Sequence, residues 1–119
     1  MDRLRSKVAI ITGGAVGLGR SIALRMAEEG AVVAVLDVLE REGERLVDEL
    51  QERGLMAAFW VCDVSNEAMV EDCIGKAAAR FDRLDILVNN AGIVGTSKPT
   101  HELSEQEWDA VQAVNVKGV

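Results

Sequence analysis

The sequence predicts an α/β fold: a three-layer, doubly wound parallel sheet with strand order 3-2-1-4. Short apolar runs alternate with helical patterns along the whole chain, the layout of strand–helix–strand units. The runs are apolar at successive positions rather than at every second one, as in strands covered on both faces. A glycine-rich turn follows the first run and opens a helix, the place where such a sheet receives an anion.

Residues 7–12, KVAIIT, form the first strand. Residues 18–29 form a helix with Leu18, Ile22 and Met26 on one inward face, stopped by Gly30. The second strand, 31–37, is apolar at every position before Asp37. The second helix, 40–53, is polar except for Leu46, Val47 and Leu50, and Gly54 ends it. Its Glu49 and Arg53 are oriented for weak i,i+4 support. Residues 56–62, MAAFWVC, form the third strand. Ser65 caps a helix that runs to about residue 81, with Val70, Ile74, Ala77, Ala78 and Phe81 inward. The fourth strand covers 85–89 and a loop covers 92–101. The last helix, 103–116, turns Trp108, Val111 and Val114 inward. Parallel neighbours require crossovers, so these units build a Rossmann-type sheet.

At 119 residues the chain is one domain, large enough to bury roughly two-thirds of its unfolded surface. A net charge of −7 argues against nucleic acid or an anionic membrane as a partner. The charged start, MDRLRSK, is followed by too short an apolar run for a signal peptide, and no stretch reaches the about 18 apolar residues of a membrane span. Cys62 and Cys73 form no CxxC and His101 is the sole histidine, so no metal site is expected. The two thiols fit a reducing cytoplasm. His101 is assigned no role.

The glycine-rich turn, Thr12-Gly13-Gly14-Ala15-Val16-Gly17-Leu18-Gly19-Arg20-Ser21, can be read in two registers. From Gly14 it approaches a triphosphate-binding loop, but Arg20 stands where that loop needs a lysine, and no clear magnesium-binding strand follows. From Thr12 it suits a dinucleotide pyrophosphate, with Gly13, Val16, Gly17, Leu18 and Gly19 as the working set. Asp37, ending the neighbouring strand, favours the second register, because a carboxylate there accepts from adenosine ribose hydroxyls. It would also repel a 2′-phosphate, and Val16 adds no cation to the loop, so NAD is expected over NADP. Arg41 is the nearest cation after Asp37 and weighs against that preference. The alternative role for Asp37 is a helix cap or strand terminator.

Together with Asp63-Val64, Asn89-Asn90-Ala91-Gly92 and Asn115, these residues run in one order from about position 7 to 118. In this the chain resembles the N-terminal half of a short-chain dehydrogenase/reductase. The resemblance implies that Asp63 accepts from the adenine amino group and that the Val64 N–H donates to a ring nitrogen. It makes Asn89 a structural tie, and it carries Asn90, Ala91 and Gly92 past the cofactor riboses. It gives Asn115 the task of distorting its helix and holding a water in a proton relay; the alternative is a satisfied buried amide. It also implies a Ser and a Tyr-x-x-x-Lys, of which the tyrosine works as acid and base, yet the chain contains no tyrosine.

The expected reading is therefore a partial domain, 1–119, truncated after the fourth strand and its helix. Its longer parent would move hydride between a nicotinamide cofactor and an alcohol or ketone. A non-catalytic dinucleotide-binding or assembly module complete at 119 residues is the alternative, and a nucleoside triphosphatase a weaker one. An uncovered fourth strand is an open edge, so self-association through 85–89 or through the last helix is expected. Asp82 occupies a position where the family commonly has glycine.

Overall fold

The computed structural model describes residues 2–119. Four strands, β1 (Val8–Thr12), β2 (Val32–Asp37), β3 (Ala57–Val61) and β4 (Ile86–Val88), form one sheet in the order β3-β2-β1-β4. All its pairs are parallel, and Ile10 stands between Ala34 on one side and Leu87 on the other. The helices are α1 (Gly17–Glu28), α2 (Glu40–Glu52), α3 (Glu67–Phe81) and α4 (Glu105–Gln112). A 3₁₀ turn, Thr100–Glu102, precedes α4, and a π-helical turn, Ala113–Lys117, follows it.

Three layers follow from the strand period of two. Ala9, Ile11, Val33 and Val35 pack with Ala23 and Ala27 of α1 and with Leu46 and Leu50 of α2. Ile10, Ala34 and Leu36 point to the other face and pack with Cys73 and Ala77 of α3. Each fully buried Ile or Leu contributes about 1.5–3 kcal/mol relative to exposure. This explains the continuous apolar strands: both faces are covered.

Helix α1 seats on the sheet through its small residues, Gly19, Ala23 and Ala27, which let the two backbones approach. Ile22 and Met26 flank that face half-buried, but Leu18 is 72% exposed, which corrects its place on the core face. In that first turn the buried residue is Gly19. In α2 the expected Leu46, Val47 and Leu50 are buried. Gly43 joins them as a notch, since a Cβ there would lie 2.1 Å from the Phe59 ring. Gly30 and Gly54 follow the ends of α1 and α2 with φ of +97° and +77°, left-handed positions that suit glycine.

The cap of α3 is Asn66 rather than Ser65: its side chain accepts from the Met69 N–H at 3.0 Å. Ser65 is instead held by Asp63, so the helix begins one residue later. Asp82 ends α3 in the left-handed region, φ +66°.

Strand β4 is three residues long rather than five. Its lower end is finished by Asp85, whose N–H donates to Val8 O at 2.9 Å and whose Oδ2 accepts from Val8 N at 2.8 Å. The Arg83 guanidinium, and then the Val8 N–H, hold the Asp85 carboxyl below its ordinary range. In α4 no residue is buried. Val111 and Val114 are half-buried, whereas Trp108 is 53% exposed, so its expected inward packing is not observed. Among the described residues no strand lies beyond β4.

Among the described residues, no helix is long and apolar enough to cross a membrane, and no three side chains cluster as metal ligands.

Candidate functional site

The carboxyl ends of the strands open on a cavity of about 560 Å³. It lies where β1 leads one way to β2 and the chain later returns on the other side to β4, the crevice in which doubly wound sheets bind ligands.

The glycine loop forms one wall. Gly13 has φ +66°, its N–H donates to Leu36 O at 2.7 Å, and a Cβ there would lie 2.8 Å from Ala91 Cα. Gly13 and Val16 line the cavity. Gly17, Leu18 and Gly19 do not; they form the first turn of α1. The helix closes its first bond with Arg20 N–H to Val16 O, which leaves the preceding amides without intrahelical partners. No acidic residue sits in that turn, so its partial positive charge is not neutralised locally. Gly19 also serves packing, because a Cβ there would come within 2.2 Å of Gly13 O. Arg20 pairs with Glu49 on α2 and takes no place in the cavity lining, so it does not act as a phosphate-binding lysine would.

Asp37 ends β2 at the cavity, only 8% exposed. Its Oδ2 accepts from Ala15 N–H at 3.0 Å and its Oδ1 from Leu39 N–H at 3.2 Å. A carboxylate has about four acceptor sites, so capacity remains for a ligand. Thus Asp37 has both a terminator-like bond to the next helix and an opening toward the cleft.

Asp63 and Val64 line the cavity beyond β3. Asp63 Oδ1 accepts from the Ser65 hydroxyl at 2.6 Å and from its N–H at 2.9 Å. The Ser65 hydroxyl, then its N–H, holds this carboxyl below the usual range, so Asp63 is an ionised acceptor at neutral pH.

Asn90, Ala91 and Gly92 line the floor. Asn90 Nδ2 donates to Thr12 O at 3.1 Å and to Gly13 O at 3.0 Å, and Thr12 Oγ1 accepts from the N–H groups of Asn90 and Ala91. The tie assigned by resemblance to Asn89 is therefore made by Asn90. The alternation along β4 explains it: Ile86, Val88 and Asn90 are half-buried, while Leu87 and Asn89 are exposed.

Asn115 lies in the π-helical turn and is exposed rather than buried. Its Oδ1 accepts from Ile93 N–H at 2.8 Å and its Nδ2 donates to Ile93 O at 2.9 Å. This bidentate grip fixes the chain just after Gly92, beside Val114 of the cavity wall.

Sequence reasoning missed five lining residues: Val38, Leu39, Cys62, Ile93 and Val114. Val38 and Leu39 carried a signal, two apolar residues stranded between the end of β2 and the start of α2. Cys62 is buried beside Cys73; burial pushes its thiol up to about 12, so it contributes neutral lining rather than a thiolate. His101 lies outside the cavity.

The family model for short chain dehydrogenases matches residues 7–119. Cyclopentanol dehydrogenase of Comamonas testosteroni is 41% identical over 119 residues, covering 100% of this chain and 47% of that protein. The 3beta-hydroxysteroid dehydrogenase of Mediterraneibacter gnavus is 38% identical, covering 98% of this chain and 42% of its own length. Among solved structures, NAD+-bound xylitol dehydrogenase superposes with a TM-score of 0.93 at 33% identity, covering 98% of this chain and 45% of that one. The chain thus spans about half the length of the relatives it matches. With a family match over nearly every residue and a sheet order to go with it, the chain belongs to the short-chain dehydrogenase family.

Proposed function

We propose that the cleft binds the adenosine diphosphate portion of a nicotinamide dinucleotide, with NAD preferred over NADP. The observation that carries this reading is the buried Asp37 carboxylate at the cavity wall, next to a glycine loop and an unneutralised helix start. The amides of Gly17, Leu18 and Gly19, with the loop at Gly13 and Val16, receive the pyrophosphate. Asp37 accepts from the ribose hydroxyls, and a 2′-phosphate would meet its negative charge. Asp63 and Val64 face the adenine across the apolar walls of Val38, Leu39 and Cys62. Asn90, Ala91, Gly92 and Ile93 continue the floor toward the far ribose. That the xylitol dehydrogenase neighbour holds NAD+ supports the same choice.

When bound, the nicotinamide ring supplies a hydride acceptor or donor. In the whole protein we assign transfer between that ring and an alcohol or carbonyl substrate, the class to which the names of its relatives point. Asn115 orders the loop that borders this end of the cleft and is our candidate helper in proton relay. The 119 residues contain no tyrosine, so the acid–base step itself is not assigned to them. We place the protein in the cytoplasm, where its buried thiols stay reduced. We also propose that it self-associates through the outer edge of β4, where Leu87 is 55% exposed, or through α4.

Thermal unfolding with NAD, NADP or Mg-ATP tests the binding claim. NAD at a hundredfold excess over its Kd should stabilise the fold by about 2.7 kcal/mol, and NADP at the same concentration by less. Stabilisation by ATP but not by NAD would overturn it.

A further inference from the structure

We propose that Asp37 is also a positioning residue for the glycine loop, holding it in the shape that receives a pyrophosphate. The inference rests on the dinucleotide reading of the cleft but concerns a different contact. Ala15, in the middle of the loop, is 2% exposed, and its N–H is directed at Asp37 Oδ2 in a buried bond of 3.0 Å. Two further contacts come from the residues just before Asp37. Gly13 N–H donates to Leu36 O at 2.7 Å. A Cβ on Gly14 would lie 2.9 Å from Val35 Cγ1, so the backbone presses directly on that side chain. Three consecutive residues of β2 therefore hold the inner side of the loop.

Only the Asp37 contact is made by side-chain oxygen. Without it the Ala15 N–H is buried with no acceptor, a state costly enough that the loop moves to find water or another partner. The amides meant for the phosphates move with it, since Val16 and Gly17 follow directly. A carboxylate that serves the ribose alone has the opposite effect on a free pyrophosphate. Removing its negative charge from the neighbourhood strengthens binding of that anion. The sign of the change separates the two roles.

The experiment compares wild type, Asp37→Ala and Asp37→Asn in amide hydrogen exchange at Ala15 and in calorimetric titration with NAD, adenosine and inorganic pyrophosphate. In Asp37→Ala the Ala15 amide should exchange at least about tenfold faster, and pyrophosphate affinity should fall about tenfold. In Asp37→Asn the side-chain oxygen still accepts from Ala15 while the negative charge is gone, so Ala15 protection should stay within about twofold of wild type and pyrophosphate should bind at least as tightly as to wild type. This rescue also separates positioning from a general loss of folding. Unchanged Ala15 exchange in Asp37→Ala, or pyrophosphate bound by that variant as tightly or more tightly, overturns the proposal. Wild-type protein that binds neither NAD nor pyrophosphate sinks the dinucleotide reading and the purpose assigned here, while the exchange rate alone decides whether the carboxylate holds the loop.

Discussion

The β1–β2 region and the β4–α4 region are built from similar sequence and end in different states. All of β1 is buried and nearly all of β2, whereas no residue of β4 is. Helices α1 and α2 each place several residues in the core, and α4 places none. The local signals barely differ: VAIIT and ILV are both apolar runs. What differs is the number of neighbours. β1 has a strand on each side, while β4 has one. An apolar run thus predicts a strand, and only its surroundings decide burial.

The thinly packed region is positioned by other means. Asp85 grips Val8, Asn90 grips Thr12 and Gly13, and Asn115 grips Ile93, in each case through bonds from side chain to backbone. The cavity lies where the two regions meet. Its glycine loop is held by packing and by β2, and its far wall by these polar clamps.

Four sets of substitutions test this contrast. Leu50→Ala removes a fully buried side chain and should cost about 3 kcal/mol in urea unfolding, against less than about 1 kcal/mol for Trp108→Ala. Equal costs would mean that α4 is as well supported as α2. Gly19→Ala should lower stability by about 2 kcal/mol, because the new methyl meets Gly13 O and the Asn90 amide. Gly75→Ala in α3 meets nothing within 4 Å and should instead raise the thermal midpoint, with a gain of about 0.5–1 kcal/mol. The smallest effect on stability, within about 0.5 kcal/mol, is expected for Leu87→Lys on the exposed β4 edge. Its readout is mass by light scattering: wild type should associate at high micromolar concentration and the lysine variant should not. A monomeric wild type under those conditions removes the proposed role of the edge.

Much of the site could be read in the chain itself. Gly13, Val16 and Asp37, read from the motif, and Asp63, Val64, Asn90, Ala91 and Gly92, implied by the resemblance, all line one cavity, while Gly17, Leu18 and Gly19 lie outside it. Leu18 and Trp108 went the other way, because helical periodicity marks a face without saying whether anything lies against it. Asn89 and Asn90 could be told apart only by the side of β4 on which each falls. Val114 could not be found at all, since it joins the cavity across a long separation in sequence.

The class of the fold, its strand order, the glycine stops and most residues around the cleft are legible in the chain alone. These depend on local periodicity, on backbone freedom at glycine and on short-range motifs. Tertiary structure alone decided which apolar residues are buried, which asparagine closes the floor, and that the Asp37 carboxylate reaches back to Ala15. Those outcomes depend on what lies opposite each side chain, and that partner is set only when distant segments pack together.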